Sequence, residues 1–258
     1  NYIPKMIPWI LKYFKSSTKK SMMHTTKYMH QILDLSLDAY DEILSEIDTT
    51  NLVERKGIIY IWTNKNIKSR KMEIKIRNDL GIKQRLLSRD EVLELEPNLS
   101  PVFDSGVIYD YAYHARDPKE ITKKLFELFL KSGGQFKKED VINVEQTRYN
   151  QTQVKTNSET FHFEKIVLAC GAFSKKLTDQ LGEKIPLDTE RGYHVHYKKM
   201  DHLLKRPVIF LDRGFGMTPM NQGLRAVGTV ELGGFDNPIS KKRIEYIDKC
   251  AKELLPQL

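Results

Sequence analysis

The stretch "EKIVLACGAFSKKLTDQLG", residues 164–182, carries the most specific chemistry in the chain. Ile166, Val167 and Leu168 form an apolar run. Ala169 and Cys170 are small, and Gly171 precedes a segment with helical spacing. A strand ending in small residues and glycine exposes its backbone N–H groups to whatever lies above it. The helix that follows adds the positive end of its dipole. Such a turn suits a cofactor phosphate or ribose. Ordinary α/β connectivity makes the same turn, because glycine serves tight turns in general.

Three further groups of residues have suitable chemistry. "ERGYHVHY" strings Arg191, Tyr193, His194 and His196 along one strand. Alternation puts 191 and 193 on one face and 192 and 194 on the other. Arginine suits a carboxylate through paired hydrogen bonds, and tyrosine can donate one more. Histidine is versatile, and one of the two faces is open to being solvent. Thr218 and Arg225 lie in the neighbouring hairpin. His114, Arg116 and Asp117 gather at a strand-to-helix turn, where Asp117 is better explained as a helix cap, with Glu120 at capping-box spacing. Cys170 and Cys250 are the only cysteines. They are too few for a metal cluster and fit a reducing compartment. Cys170 reads as a small buried hydrophobe rather than a redox group.

The elements that position these residues alternate between two periods. Apolar residues recur at helical spacing over 21–48, which predicts one long helix carrying His24 and His30 towards solvent. "KGIIYIWT" and "SGVIYDYAYH" read as strands. A charged helix over 66–80 ends at Gly81. Ser88 and Glu91 make a capping box, and Pro97 closes that short helix. "DPKEITKKLFELFLKSGG" is a helix with Pro118 at its first position. "VINVEQ", "TQVKTN" and "ETFHFE" form a meander that leads into a strand, "KIVLAC", and then the Gly171 turn. After Pro186, "GYHVHYKK", "PVIFLD", "GFGMTPM" and "LRAVGTVEL" are strands. Ser240 caps a last helix over 241–255. The expected fold is α+β, a mixed and mainly antiparallel sheet with helices.

The chain has 258 residues, 40% hydrophobic and 10% aromatic, which excludes a disordered protein. No apolar run reaches the ~18 residues of a membrane span. "MIPWILKYF" is a short amphipathic segment flanked by Lys5 and Lys15. The net charge of +8 comes mostly from lysines scattered among acids, without an RNA-binding motif or finger spacing, so no nucleic-acid partner is expected. There is no secretory leader pattern and the first residue is not Met, so the chain reads as beginning inside a longer protein.

"IVLACGAFSKKL" resembles the A-x-G-x-W/F-S segment of the flavin-dependent amino-acid oxidase superfamily. "IPLDTERGYHVHY" is similar to its P-x-x-x-x-[KR]-G-Y segment. "LRAVGTVELGGFD" is similar to its R-x-x-G-x-x-E segment before a Gly-Phe. "PWILKYFKSS", "RKGIIYIWT" and "EVLELEPNL" sit where the D-amino-acid dehydrogenase branch places similar segments, and that branch is the best match. The resemblance covers nearly the whole chain. The family's opening strand with G-x-G-x-x-G is not here: "GFG" at 214–216 has Pro219 where the third glycine belongs. Its closing glycine-rich segment would start just beyond Leu258.

The resemblance implies the central portion of a FAD-dependent oxidoreductase. Residues 1–134 and 186–258 would form the two parts of the substrate domain, and 135–185 a partial FAD-binding segment. The reaction would be oxidation of a D-amino acid by hydride transfer from Cα to flavin N5, giving a 2-oxo acid and ammonia. Related glycine, sarcosine, secondary-amine and hydroxy-acid specificities stay open, as does a non-catalytic binding module on the same fold. The residues carried over are Val141, Ala169, Cys170 and Gly171 for the cofactor. Arg191, Tyr193, His194, Thr218 and Arg225 are carried over for the substrate. No catalytic acid or base and no metal ligand is assigned. The missing FAD-domain segments are the expected partners, and this chain alone is expected to be inactive and not to retain FAD. The expected location is cytoplasmic, with room for peripheral contact of the parent enzyme with the inner face of the membrane.

Overall fold

A computed structural model describes residues 3–147 and 151–258. In chain order the elements are helices α1 (Ile3–Ser16), α2 (Lys19–Leu33) and α3 (Ser36–Ser45), strands β1 (Val53–Glu54) and β2 (Ile58–Trp62), and α4 (Ile67–Asp79). Then come β3 (Arg85–Ser88), α5 (Arg89–Leu95), β4 (Ser105–Tyr109), β5 (His114–Ala115) and α6 (Pro118–Lys131). They are followed by β6 (Val141–Gln146), β7 (Thr152–Thr156), β8 (Thr160–Phe163) and α7 (Ser174–Gln180). The chain ends with β9 (Arg191–Lys198), β10 (Val208–Phe210), β11 (Phe215–Met220), β12 (Gly223–Glu231) and α8 (Lys241–Leu254). The α+β class with mainly antiparallel strands holds.

Local signals explain most element ends. Ser88 Oγ accepts the N–H of Glu91 and the Glu91 carboxylate accepts the N–H of Ser88, so the capping box is complete. Gly81 has φ +74° and ends α4. Its N–H bonds the Asn78 carbonyl while that of Ile82 bonds Arg77, a Schellman stop that a residue with a side chain would strain. Asp117 Oδ1 accepts the N–H of Glu120 at 3.1 Å, as a cap should. Ser240 occupies the cap position of α8 without a side-chain bond.

Two expectations over secondary structure are corrected. The long helix over 21–48 is two helices, α2 and α3. Ser36 Oγ donates to the Leu33 carbonyl, a local bond that competes with the helical ladder. Residues 165–170 form no strand. A strand exists only beside a partner, and among the described residues none pairs with this segment; Val167 is 90% exposed.

The chain divides into two compact units. The first holds the residues up to Phe129, Gly192–Val230 and Pro238–Leu258. Most of a seven-stranded sheet lies in it, ordered β3-β4-β2-β10-β11-β12-β9. The β2–β10 pair is parallel; β3–β4, β2–β4, β10–β11 and β11–β12 are antiparallel. One face of the sheet builds the core. Ile59, Ile61, Val208, Phe210, Met217, Leu224 and Ala226 pack with Ile247, Cys250, Ala251 and Leu254 of α8. Those four helix positions are spaced i, i+3, i+4, i+7, one stripe of the helix. Each large aliphatic group buried there contributes about 1.5–3 kcal/mol. Below them Glu96, 1% exposed, receives Arg206 Nε at 3.0 Å and the N–H of Lys205 at 2.9 Å. On the opposite face α4 covers the β2–β4 end, where Tyr60, Trp62, Val107 and Tyr109 meet Ile74 and Ile82.

The second unit holds Leu130–Arg191 and Glu231–Asn237. The meander β6-β7-β8 is its sheet. Gln180 fastens α7 to β6, accepting from the N–H of Val144 and donating to the Ile142 carbonyl.

Candidate functional site

Strand alternation decides which side chains leave the core. On β11 and β12, Met217 faces Ala226 and Pro219 faces Leu224 on the core side, so Thr218 and its cross-strand partner Arg225 share the other face. Gly216, opposite Val227, is on that face too, and a Cβ on it would sit 3.1 Å from Ile209 Cγ1. Glycine keeps the face low there. Pro219 costs no ladder bond towards β10, whose pairing with β11 ends at Met217.

Two cavities adjoin this pair. One of about 400 Å³ is lined by Ile209, Gly216, Thr218, Val227 and Thr229 among others. A second of about 330 Å³ is lined by Arg225, Arg116, Lys119, His196 and Gln222 among others. The second has more cations than anions, with Arg225, Arg116 and Lys119 against the one carboxylate of Asp117. Arg116 is fully engaged: Nε donates to Asn221 Oδ1, and the two Nη groups reach Glu54 at 3.2 Å and Asp201 at 3.0 Å. Arg225 is different, because its Nε is buried with no hydrogen-bond partner among the described residues. A buried guanidinium N–H without an acceptor is costly, and an anion in the cavity would relieve it. His196 belongs to the "ERGYHVHY" strand noted in the sequence; Lys119, which arrives from α6, was not visible as a member of this site, and nothing in its local pattern marks it.

The other substrate candidates divide. His194 is exposed. Val195 and Tyr197 pack against the core, so alternation sends His194 and His196 to the face that carries Arg225. Tyr193 borders the first cavity, but it is only 7% exposed and belongs to the core cluster. Its hydroxyl accepts the Ser240 N–H at 3.1 Å. Tyr193 lies in the core and seats the start of α8. Arg191 donates to the carbonyls of Asn237 at 2.6 Å and Phe235 at 3.1 Å, and lies 3.7 Å from Glu231. It ties down the 231–237 loop. His114 is buried in the β1–β5 ladder, and burial pushes its imidazole below the ordinary histidine range.

In the second unit Ala169, Cys170 and Gly171 are all exposed, as is Val141 at the start of β6. Cys170 is a free, exposed thiol, which corrects the expected burial. Gly171 has φ +56° and open space where a Cβ would be. The Cys170 N–H donates to Ser174 Oγ at 3.1 Å. Phe173 and Phe235 stack with ring centroids 4.4 Å apart, under the Lys176 ammonium. Among the described residues no group of acids, histidines and cysteines is arranged to hold a metal ion, and no helix is long and apolar enough to cross a membrane.

Residues 9–258 match the family described as FAD dependent oxidoreductase (DAO). The chain is similar to a D-amino-acid oxidase of Bradyrhizobium diazoefficiens, 28% identical over 261 residues, covering 100% of this chain and 62% of that protein. It is 24% identical over 270 residues to a D-amino acid dehydrogenase of Vibrio atlanticus, covering 98% and 62%. The fold is that of glycine oxidase from Geobacillus kaustophilus, with a TM-score of 0.75 at 18% identity over 94% of this chain and 64% of that one. The chain thus spans about three fifths of the length of the curated relatives it matches.

Proposed function

The chain belongs to the FAD-dependent oxidoreductase (DAO) family, and from that premise we propose that its seven-stranded sheet is the substrate-side wall of an enzyme that oxidises a D-amino acid. The observation that carries this reading is the buried, unpartnered Nε of Arg225 in a net-cationic cavity beside Thr218. A substrate carboxylate supplies the acceptor that this guanidinium lacks. Lys119 borders the same cavity and favours an anion there, opposed by the single carboxylate of Asp117. The low surface at Gly216, Ile209 and Val227 accommodates the rest of a small, partly apolar substrate.

The residues present fit one edge of FAD. Ala169, Cys170 and Gly171 offer small side chains and exposed backbone, which allows the close approach that a ribose or phosphate edge needs. With Val141 they are the residues that would hold it. Bound FAD supplies the two-electron acceptor, which no side chain of this chain provides. Overall, a D-amino acid and water give a 2-oxo acid and ammonia, with two electrons and two protons leaving. Arg225 orients the substrate by its carboxylate, and Thr218 offers a hydroxyl on the same face. Orientation of this kind is the protein's main contribution to such chemistry.

The test is kinetic, in the full-length enzyme. Arg225→Ala lowers kcat/KM for D-amino acids by roughly tenfold or more, the ~1.5–3 kcal/mol of a charge-assisted contact. Flavin content stays unchanged, since Arg225 is not among the residues that would hold FAD. Glycine, sarcosine and D-2-hydroxy acids, run in parallel, decide between the related substrates. Wild-type kinetics in Arg225→Ala on all of them would overturn the reading.

A further inference from the structure

Helix α4 lies on the sheet face opposite α8, and none of its residues is buried. Ile74 is its one member of the apolar cluster around Trp62, Val107 and Tyr109. A helix held so lightly by apolar contact depends on polar anchors, and Arg70 is one. Its Nη1 donates to Glu73 at 2.8 Å within the helix, and its Nη2 to Asp212 at 3.3 Å. Asp212 in turn accepts the N–H and the hydroxyl of Thr63 at 2.6 and 2.9 Å, directly after β2. One donor of the guanidinium is left over. Arg70 Nε is buried and has no acceptor among the described residues. The same holds for the indole Nε1 of Trp62, the last residue of β2, a side chain only 3% exposed. Both residues line one small cavity between α4 and the sheet, with Glu73, Arg77 and Tyr109 among the others. The centre of a water-sized sphere has about 10 Å³ to move in there, the room that a single water needs.

Two orphan donors in a space of this size restrict what can sit between them. The ligand must accept two hydrogen bonds, because an indole N–H and a guanidinium N–H only donate. That rules out a cation. It must also be neutral. Arg70 and Arg77 border the space, but Glu73 borders it too and pairs with both, while Asp212 pairs with Arg70. A halide therefore finds a carboxylate beside it and no net charge to draw it in. The volume admits one heavy atom. We infer that a single resident water occupies this site and fastens α4 to the end of β2. Its two lone pairs accept from Trp62 Nε1 and Arg70 Nε. The Glu73 carboxylate and the Tyr109 hydroxyl, on the same walls, offer acceptors for its two hydrogens. Such a water meets donors whose burial would otherwise be costly. This inference does not rest on the oxidoreductase reading.

A crystal structure of the full-length protein, grown in sodium bromide, tests the ligand. One peak is expected at about 2.7–3.2 Å from both nitrogens, without anomalous bromide signal. Amide hydrogen exchange in solution tests the fastening. Trp62→Phe keeps a ring in place and removes one donor. Arg70→Lys keeps the charge beside Asp212 and removes the other. Each should speed exchange of the α4 amides by roughly tenfold, with those of β10–β12 unchanged. Because both donors act through one water, the double variant should exchange about as fast as the faster single one, whereas independent packing losses would multiply. A bromide peak in the cavity, a cavity without density, or a protein acceptor on either nitrogen overturns the inference. So do unchanged α4 exchange in both variants and fully multiplicative effects in the double one.

Discussion

The Tyr193 hydroxyl accepts the backbone N–H of Ser240 at 3.1 Å and so holds the first turn of α8 against β9. The Ser240 side chain makes no cap bond, and the tyrosine oxygen is the acceptor of the Ser240 N–H. Tyr193→Phe should cost about 1 kcal/mol of stability, the net value of one such bond. Kcat/KM in the full-length enzyme should stay within a factor of about two. Urea unfolding and steady-state kinetics on the same preparations check this. A tenfold kinetic loss at unchanged stability would return Tyr193 to the substrate.

Arg191 holds two carbonyls of the 231–237 loop, at Phe235 and Asn237. Arg191→Ala should loosen that loop while leaving the seven-stranded sheet intact. Limited proteolysis should show faster cleavage within 231–237, with mass spectrometry locating the cut. Unchanged cleavage there, combined with a large rise in KM, would instead assign Arg191 to substrate binding.

Glu96 and Arg206 form a buried ion pair, and breaking one by removing a partner costs about 3–5 kcal/mol. Glu96→Ala should therefore be among the most destabilising single changes in the first unit. Burial pushes the Glu96 carboxyl above the ordinary glutamate range, against the pull of the Lys205 N–H and Arg206. The folded state then holds the proton to higher pH than the unfolded chain does. The contribution to stability is full below the ordinary glutamate pKa and is lost as pH rises through the raised value. The stability difference between wild type and Glu96→Gln should accordingly shift in favour of wild type as the pH falls through that window. Urea titrations at several pH values measure it, and a shift of opposite sign would show that Arg206 dominates.

The 258-residue chain by itself should carry no flavin after mixing with FAD and desalting. The Gly171 segment offers one edge of a site, and the sequence contains no G-x-G-x-x-G to grip the diphosphate. The visible absorption spectrum decides; a near-stoichiometric flavin band would contradict the expectation.

Features set by a few neighbouring residues were legible in the sequence. The Ser88–Glu91 box, the Gly81 stop, the Asp117 cap and the period-two meander all depend on bonds within a few positions, so the local pattern carries them. The order of motifs along the chain was not needed for any of them. Features that depend on distant partners were not legible. Whether residues 165–170 become a strand depends on a neighbour outside the segment. Alternation says that residues 191 and 193 share one side of a strand, but not which side is core. The side was decided by α8, whose stripe from Ile247 to Leu254 covers one face of the sheet and draws Tyr193 into it. The opposite face was thereby left to Thr218 and Arg225, with Lys119 and His196 brought in from remote elements. Sequence determines which residues can lie on a common face, because backbone geometry is local. Only tertiary packing decides which face is buried and which is left for a ligand, because burial depends on what else the chain brings to it.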